Sequence, residues 1–351
     1  TRQSYYKYDS DFELFQEYTP MERGSFSMSF LTIGTSFDKI ADDNSTASYT
    51  KMKEYRLQMA NRLAGENPYY TGEVIDSTGF PSGYSSSSQD VLHGAFVAAY
   101  TNRSPDAVPL NYFPKIPFPN WRVTYKGLSK IPALRKLFKN VTVTHSYRSA
   151  YSIGSYVSNV NYDDVNDIGQ PSAVNVNGDF INKYDMTLLS ISEQFSPLIK
   201  LDMTWNNSLL TNLEFKKSRN LSLSFVGNQL TEVISNEYII GLGYRIKNVK
   251  FSIKTLGSKG SKKQLNSDLN LKIDFSVRDN MTVLRRLDQD IDQISSGQRI
   301  TSLNFSADYM VSQKFTVRLY FDRIMNKPHV ASQYPNSTTS GGLSLRFTLT
   351  Q

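Results

Sequence analysis

The residues that could carry out acid–base or metal chemistry are few and widely separated in this sequence. Its three histidines, His93, His145 and His329, do not lie at metal-ligand spacing with one another or with a carboxylate. Cysteine is absent, which excludes disulfides, thiol catalysis and thiolate metal sites. No pairing of a nucleophile with a base is visible, so we expect no enzyme, no cofactor and no metal ion.

Two short segments resemble ligand-binding motifs but lack the residues that define them. Gly257–Lys263 is rich in Gly and Lys, but it has neither the spacing of a phosphate-binding loop nor a helix after it. Asp288–Asp292 clusters carboxylates, but it lacks the Gly and the terminal Glu of a calcium loop. We interpret the first as an exposed hairpin loop and the second as a solvated acidic loop.

The composition excludes a bundle of transmembrane helices and favours a protein rich in strands. Mean hydropathy is -0.42, and no run of about 20 apolar residues exists. The 22 Tyr and 20 Phe are typical of the aromatic girdles of outer-membrane β-barrels, although a soluble β-sandwich could also carry them. A formal charge of +7 is too small for this length to indicate a nucleic-acid partner.

The pattern of the chain changes near residue 140, which predicts two regions, 1–140 and 141–351. The first is mixed: it combines a strand-like run, Ser25–Ile33, with long loops and three short helices. The helices are predicted at Met52–Leu63, at Gln89–Tyr100 and from Pro132 onward, as lid, lumen or interface elements. We expect them to pack against strands rather than to contact membrane. Thr1–Asp9 carries no signal peptide, so we expect a mature or internal segment of a longer protein.

From Val141 onward, apolar and polar residues alternate in runs of about 9–11, the length of a transmembrane β-strand. Such strands place one set of side chains toward lipid and the other toward the lumen of a barrel. The polar positions predicted to face the lumen are Lys200, Asp202, Lys272, Asp274, Arg278, Asp308 and Arg318. The apolar positions predicted to face lipid are Leu201, Trp205, Ile240, Tyr244, Ile273, Phe275, Phe305, Leu319 and Phe321.

The predicted connections alternate between short turns and longer loops, as in outer-membrane barrels with short periplasmic turns and longer extracellular loops. The short turns are predicted at Lys216–Asn220, Lys247–Asn248, Asp279–Asn280 and Ser312–Lys314. The longer loops are predicted at Gly227–Asn236, Leu256–Gln264, Leu287–Gln298 and Met325–Ser340. The expected fold is therefore all-β and transmembrane: the antiparallel wall of a bacterial outer-membrane barrel, with a few short helices in the N-terminal third.

A collinear set of motifs resembles the C-terminal region of the SprA/Sov family, the outer-membrane translocon of the type IX secretion system of Bacteroidetes. Each motif alone is weakly specific, and their order along most of the chain carries the resemblance. The motifs are Phe113–Trp121, His145–Arg148, Glu193–Leu198, Lys217–Leu223, Asn228–Glu232, Gly241–Tyr244, Phe275–Asn280, Ser306–Tyr309 and Phe321–Arg323.

The resemblance implies a very large single-chain barrel whose wide pore passes folded cargo proteins that carry C-terminal signal domains. About eleven to thirteen spanning strands would supply the last third of its wall. The implied partners are the cargo, a smaller PorV-like shuttle barrel, a periplasmic plug subunit and a proton-driven inner-membrane motor. The wall would also contact the rest of its own barrel, membrane lipid and lipopolysaccharide. Two alternatives stay open: a stand-alone porin or nutrient transporter, and a soluble β-rich surface adhesin.

Overall fold

One antiparallel sheet forms most of the molecule, and two helices pack against part of it. The computed structural model describes residues 2–9, 13–166, 168–254, 262–289, 291–312 and 315–348. The strands are β1 (Arg2–Asp9), β2 (Leu14–Ser29), β3 (Trp121–Tyr125), β4 (Phe138–Ser158), β5 (Tyr184–Met186), β6 (Leu188–Trp205), β7 (Leu209–Ser224), β8 (Gln229–Lys254), β9 (Lys262–Arg286), β10 (Ile291–Ser312), β11 (Phe315–Pro328) and β12 (Asn336–Phe347). The helices are α1 (Ala47–Glu66), α2 (Gln89–Tyr100) and α3 (Pro132–Arg135), with 3-10 turns at Ile33–Thr35, Pro105–Ala107 and Gly127–Lys130.

The strands follow the order β1-β2-β4-β6-β7-β8-β9-β10-β11-β12, while β3 and β5 pair with β4 beside this path. All described pairs are antiparallel, which confirms the predicted strand-rich antiparallel architecture with few short helices. The sheet does not close on itself within the described chain, because β1 and β12 lie at its two ends. A closed barrel would therefore need strands beyond these.

Most strands are longer than predicted. β8 has 26 residues and β9 has 25, against the predicted 9–11. Conversely, β1, β3 and β5 have eight, five and three residues and fall short of the roughly nine that a spanning strand needs. The number of spanning strands stays a prediction: of the twelve described strands, the other nine reach this length.

Three of the four predicted short turns are wrong. Lys216–Asn220 lies inside β7, Lys247–Asn248 inside β8 and Asp279–Asn280 inside β9. In the fourth, Ser312–Lys314, Ser312 is the last residue of β10 and residues 313–314 lie outside the described chain. At the first and third of these sites both sides of the strand are polar, so the alternation disappears although the strand continues. At the second, Asn248 has a φ of 56° and the β8–β9 register shifts, so a bulge stands where a turn was predicted.

The longer loops are also shorter than predicted. Gly227–Asn236 and Leu287–Gln298 are mostly strand, because β8 begins at Gln229 and β10 at Ile291. The connection from β11 to β12 spans residues 329–335 instead of Met325–Ser340. Residues 255–261 lie outside the described chain, so the predicted loops at Leu256–Gln264 and Gly257–Lys263 are described only at their C-terminal ends, within β9. The connection between β4 and β6, residues 159–187, contains the short strand β5.

The helix predictions at Met52–Leu63 and Gln89–Tyr100 are confirmed by α1 and α2. The Thr46 side chain caps α1 by accepting a hydrogen bond from the backbone amide of Tyr49. The two helices touch closely at Gly94, where a Cβ atom would lie 2.6 Å from the Cε of Met59. The third helix begins at Pro132 as predicted but has four residues. Among the described residues, no helix combines the length and apolar character needed to cross a membrane.

Candidate functional site: the two faces of the sheet

The register divides the predicted site residues between the two sides of the sheet. Directly paired residues of antiparallel strands point to the same side. Asp202 is linked in this way through Asn212 and Gly241 to Asp274. All seven residues predicted to face a lumen lie on this side, which we call the polar face. All nine residues predicted to face lipid lie on the opposite side, which we call the apolar face.

The polar face is covered with ion pairs between residues of opposite charge. Arg318 Nε lies 2.5 Å from Asp308 Oδ1, with side chains 56% and 24% exposed. Such exposed pairs contribute little stability, about 0–1 kcal/mol each. They leave a hydrated surface with both signs of charge interspersed. Other close pairs include Lys200–Asp202 at 3.3 Å, Lys216–Glu237 at 3.4 Å, Lys272–Asp274 at 2.6 Å and Arg278–Glu237 at 2.6 Å.

The apolar face carries a continuous band of apolar side chains, which we call the apolar belt. On β9 the belt extends from Leu269 to Val277, about 30 Å of strand and close to the ~25 Å height of an outer-membrane apolar band once the strand is tilted. No described element covers it, so Ile240 is 47% exposed and Leu319 is 50% exposed. Its members on β6 to β12 include Ile199, Leu201, Met203, Leu213, Tyr238, Leu242, Tyr244, Ile246, Leu271, Ile273, Phe275, Leu303, Phe305, Phe321, Leu343 and Leu345.

Aromatic pairs lie at both ends of the apolar belt. Phe215 and Tyr238 stack with ring centroids 4.6 Å apart at the end nearer the helices. At the other end, the rings of Phe138 and Trp205 are 4.3 Å apart, and Phe315 stacks on Phe347 at 4.4 Å. Tyr and Trp favour the two interfaces of a bilayer, and Tyr238 and Trp205 lie at opposite ends of the belt, as in the aromatic girdles of membrane barrels.

The belt ends abruptly at a row of charged and polar residues that runs across the strands. Lys217 of β7, Asn236 of β8 and Asp279 of β9 are cross-strand neighbours in this row. On β11 the residue in line with Asp279 is Lys327, which pairs with Arg299 of β10. The first charged residue after the belt on β11 is nevertheless Arg323, four positions closer to the other end of the belt. The boundary thus slants across the strands, as a membrane plane does across the tilted strands of a barrel. This row is defined here as the charged boundary.

Beyond the charged boundary, the same side of the sheet is buried under the segment from Phe30 to Phe118. This segment consists of α1, α2 and the loops before, between and after them, and we call it the helical layer. Met59 of α1 and Phe96 of α2 are fully buried there. The strands contribute the other half of this core. Their fully buried residues include Leu189, Ile191, Leu221, Leu223 and Leu230.

One buried ion pair joins the sheet to the 3-10 turn at Ile33–Thr35. Arg219 Nη2 lies 3.2 Å from Glu193 Oε2, and both side chains are almost fully buried. Arg219 also donates to the carbonyl oxygen of Thr35 at 2.8 Å. Three hydroxyl groups complete the site by donating to Oε1 of Glu193: Thr32 and Ser36 at 2.7 Å and Tyr147 at 2.9 Å.

A second buried ion pair holds α1. Arg285 Nη2 lies 2.7 Å from Glu232 Oε2, with side chains 0% and 2% exposed. The Arg285 guanidinium also donates to the carbonyl oxygen of Asn44 and stacks over the ring of Tyr49, 4.6 Å from its centroid. Sequence reasoning did not single out these residues. The sequence feature that indicates them is a charged residue at a position where the alternation of the strand predicts an apolar one. Arg219, two residues before Leu221, is such a case.

The three histidines occupy unrelated places. His93 of α2 is buried, with Nε2 3.1 Å from the hydroxyl of Tyr151, and burial lowers its pKa to about 4, so it is neutral near pH 7. His145 of β4 has Nδ1 2.6 Å from the carbonyl oxygen of Leu198. His329 contacts Asp279 beside the charged boundary at 2.5 Å. The structure does not bring them together.

The segment predicted as a solvated acidic loop, Asp288–Asp292, is only partly described, because residue 290 lies outside the described chain. Its last residue, Asp292, takes part in the second buried site with a carboxylate oxygen 3.5 Å from Arg285 Nη1, so this carboxylate is not simply solvated.

Comparison with known proteins gives no further guide: no protein-family model matches the chain, and no curated protein matches it.

Proposed function

We propose that the sheet is part of the wall of a bacterial outer-membrane β-barrel, with the apolar belt in the hydrocarbon and the polar face toward a water-filled lumen. One observation carries this proposal: the same strands present an uncovered apolar belt on one side and ion-paired, hydrated side chains on the other. A soluble sheet would leave that belt in water, at a cost of roughly 25 cal/mol for each Å² of apolar surface. Large exposed apolar surfaces of this kind mark membrane or partner contacts.

The helical layer then lies outside the bilayer. It packs on the membrane-facing side of the strands, but only beyond the charged boundary. There the strands extend past the apolar belt into water. The 29-residue connection at residues 159–187 lies at this same end, whereas the short connection at residues 206–208 joins β6 to β7 at the other end. Since outer-membrane barrels carry their longer loops outside the cell, we assign the helical layer to the cell surface.

The function that best fits this wall is a conduit for folded proteins. Three features support it. The open sheet needs more strands to close, which implies a wide barrel. The polar face carries mixed charges, to which a folded cargo would adhere weakly, and the sequence resembles the SprA/Sov translocon. The cargo, the shuttle barrel, the plug and the lipopolysaccharide contacts are parts of this proposal. A porin of the chain's own size is less favoured, because the described strands do not close.

Cysteine labelling tests the membrane placement, and the natural absence of cysteine makes the background low. Single Ile240→Cys and Phe275→Cys variants, carrying an environment-sensitive fluorophore, should be quenched by nitroxide-labelled lipid. Asn304→Cys and Ser276→Cys on the polar face should instead react with a charged, water-soluble thiol reagent. Equal aqueous reactivity at all four positions would contradict a transmembrane belt.

The conduit itself is tested in the source bacterium. An antibody to a surface loop should detect, in denatured outer membranes, a single chain much heavier than 39.9 kDa. Deletion of its gene should trap signal-bearing proteins in the periplasm while small-solute uptake continues. A band at the chain's own mass together with lost uptake of small solutes would favour the porin, and a band in the soluble fraction alone would favour the adhesin.

A further inference from the structure

A cavity of about 470 Å³ lies between the helical layer and the sheet, away from the apolar belt and the polar face. It opens between α2, the loop at residues 103–118 and the side chains of Phe30 and Tyr151. Its volume lies in the range of roughly 300–1,000 Å³ typical of small-molecule sites. Its remaining described lining residues are His93, Val97, Thr101, Arg103, Val108, Pro109, Asn111, Phe113, Pro114, Lys115, Ile116 and Phe118.

The interior of this cavity is apolar. Phe30 sits between Phe118, at a ring distance of 6.3 Å, and Tyr151, at 5.4 Å. The polar groups near its floor already have partners, because the Tyr151 hydroxyl donates to the carbonyl oxygen of Tyr112 at 2.8 Å and contacts His93. A polar or charged ligand group would therefore gain no free partner there, whereas a hydrocarbon chain would be well accommodated.

The rim is basic. Arg103 and Lys115 are both exposed lining residues, and neither forms an ion pair with a described residue. None of the described lining residues is acidic. Two unpaired cations beside an apolar interior are complementary to a molecule with a hydrocarbon chain and an anionic head.

We infer that this cavity binds an anionic amphiphile, with its hydrocarbon chain between α2 and the loop at residues 103–118 and its carboxylate or phosphate head at Arg103 and Lys115. Fatty acids and the phosphate-bearing lipids of a membrane share this chemistry. The inference goes beyond the proposed function and stands on the lining of this cavity, so it can hold even if the sheet does not cross a membrane.

The test uses a photoreactive dodecyl phosphate and the intact protein in a nonionic amphipol, which avoids detergent micelles. After irradiation, mass spectrometry should find the adduct within residues 93–118. Excess dodecyl phosphate or dodecanoate should compete, and the better competitor identifies the phosphate or the carboxylate source. Competition by dodecanol to the same extent, or by inorganic phosphate alone, would overturn the inference, as would adducts confined to the apolar belt.

Substitutions distinguish the contribution of the basic rim to binding from that of the apolar interior. Arg103→Ser/Lys115→Ser removes two exposed cations and should weaken binding roughly tenfold, the factor that about 1.4 kcal/mol represents. Lys126→Ser/Lys130→Ser makes the same change of charge at exposed positions away from the cavity and should leave binding unchanged. Val97→Trp should fill the cavity and abolish labelling. Equal weakening by both double variants would show nonspecific electrostatic attraction and would refute the site.

Discussion

Replacing Arg285 with Met should lower the free energy of unfolding by about 3–5 kcal/mol, because it leaves a buried carboxylate without its counter-charge. Arg285 is the sole described hydrogen-bond donor to Glu232, whose side chain is 2% exposed. The same change removes the contacts of the guanidinium with Asn44 and Tyr49, so α1 should detach locally. We expect new protease sensitivity in residues 36–46, measured by limited proteolysis, together with a lower denaturant midpoint.

Two controls sharpen this prediction. Arg285→Met/Glu232→Leu replaces the closer pair with apolar side chains and should recover part of the lost stability, since the buried Glu232 charge is gone while the 12% exposed Asp292 still lacks Arg285. Arg318→Met removes the same type of side chain from an exposed pair on the polar face and should cost at most about 1 kcal/mol. If Arg285→Met behaves like Arg318→Met, the buried pair does not hold the helical layer.

The sequence predicted which side of the sheet each site residue occupies because the period of a strand is two, so polar and apolar positions separate without knowledge of the pairing. The same reasoning failed where both sides are polar. Lys217 and Arg219 lie on the apolar face, and Ser218 and Asn220 lie on the polar face between and after them. The pattern therefore predicts a turn at Lys216–Asn220, although this stretch is the part of β7 where the apolar belt ends.

The contacts between the helical layer and the sheet could not be predicted in the same way. The Arg219–Glu193 pair is separated by 26 residues and the Arg285–Glu232 pair by 53, and the partners meet only through strand register. The sequence predicted α1 and α2 from their apolar periodicity, but that periodicity does not say which face of which strands they cover. The cavity has the same origin, since it forms where α2, the loop at residues 103–118, Phe30 and Tyr151 of β4 meet.

Introducing a positive charge into the apolar belt should have the second large effect. Phe305→Lys places an ammonium group between Ile273 and Phe321, which flank Phe305 on the neighbouring strands. Lys near the middle of a transmembrane barrel strand costs about 2–4 kcal/mol, and this cost falls to about 0–1 kcal/mol near the interfaces. We therefore expect a marked loss of stability, measured by urea titration of the protein in lipid vesicles, and a lower yield of membrane-inserted protein.

Two further lysine substitutions on β10 separate the effect of depth in the membrane from the effect of the face of the sheet. Thr301→Lys lies on the same face of β10 but next to the charged boundary, so its cost should approach the interfacial value. Asn304→Lys, one residue from Phe305, points to the polar face between Asp274 and Asp322 and should be neutral or slightly stabilising. The expected order of cost is Phe305, then Thr301, then Asn304. A soluble sheet would tolerate Lys at the exposed positions of both faces without regard to depth, so equal costs for the three variants would remove the argument for a membrane-spanning wall.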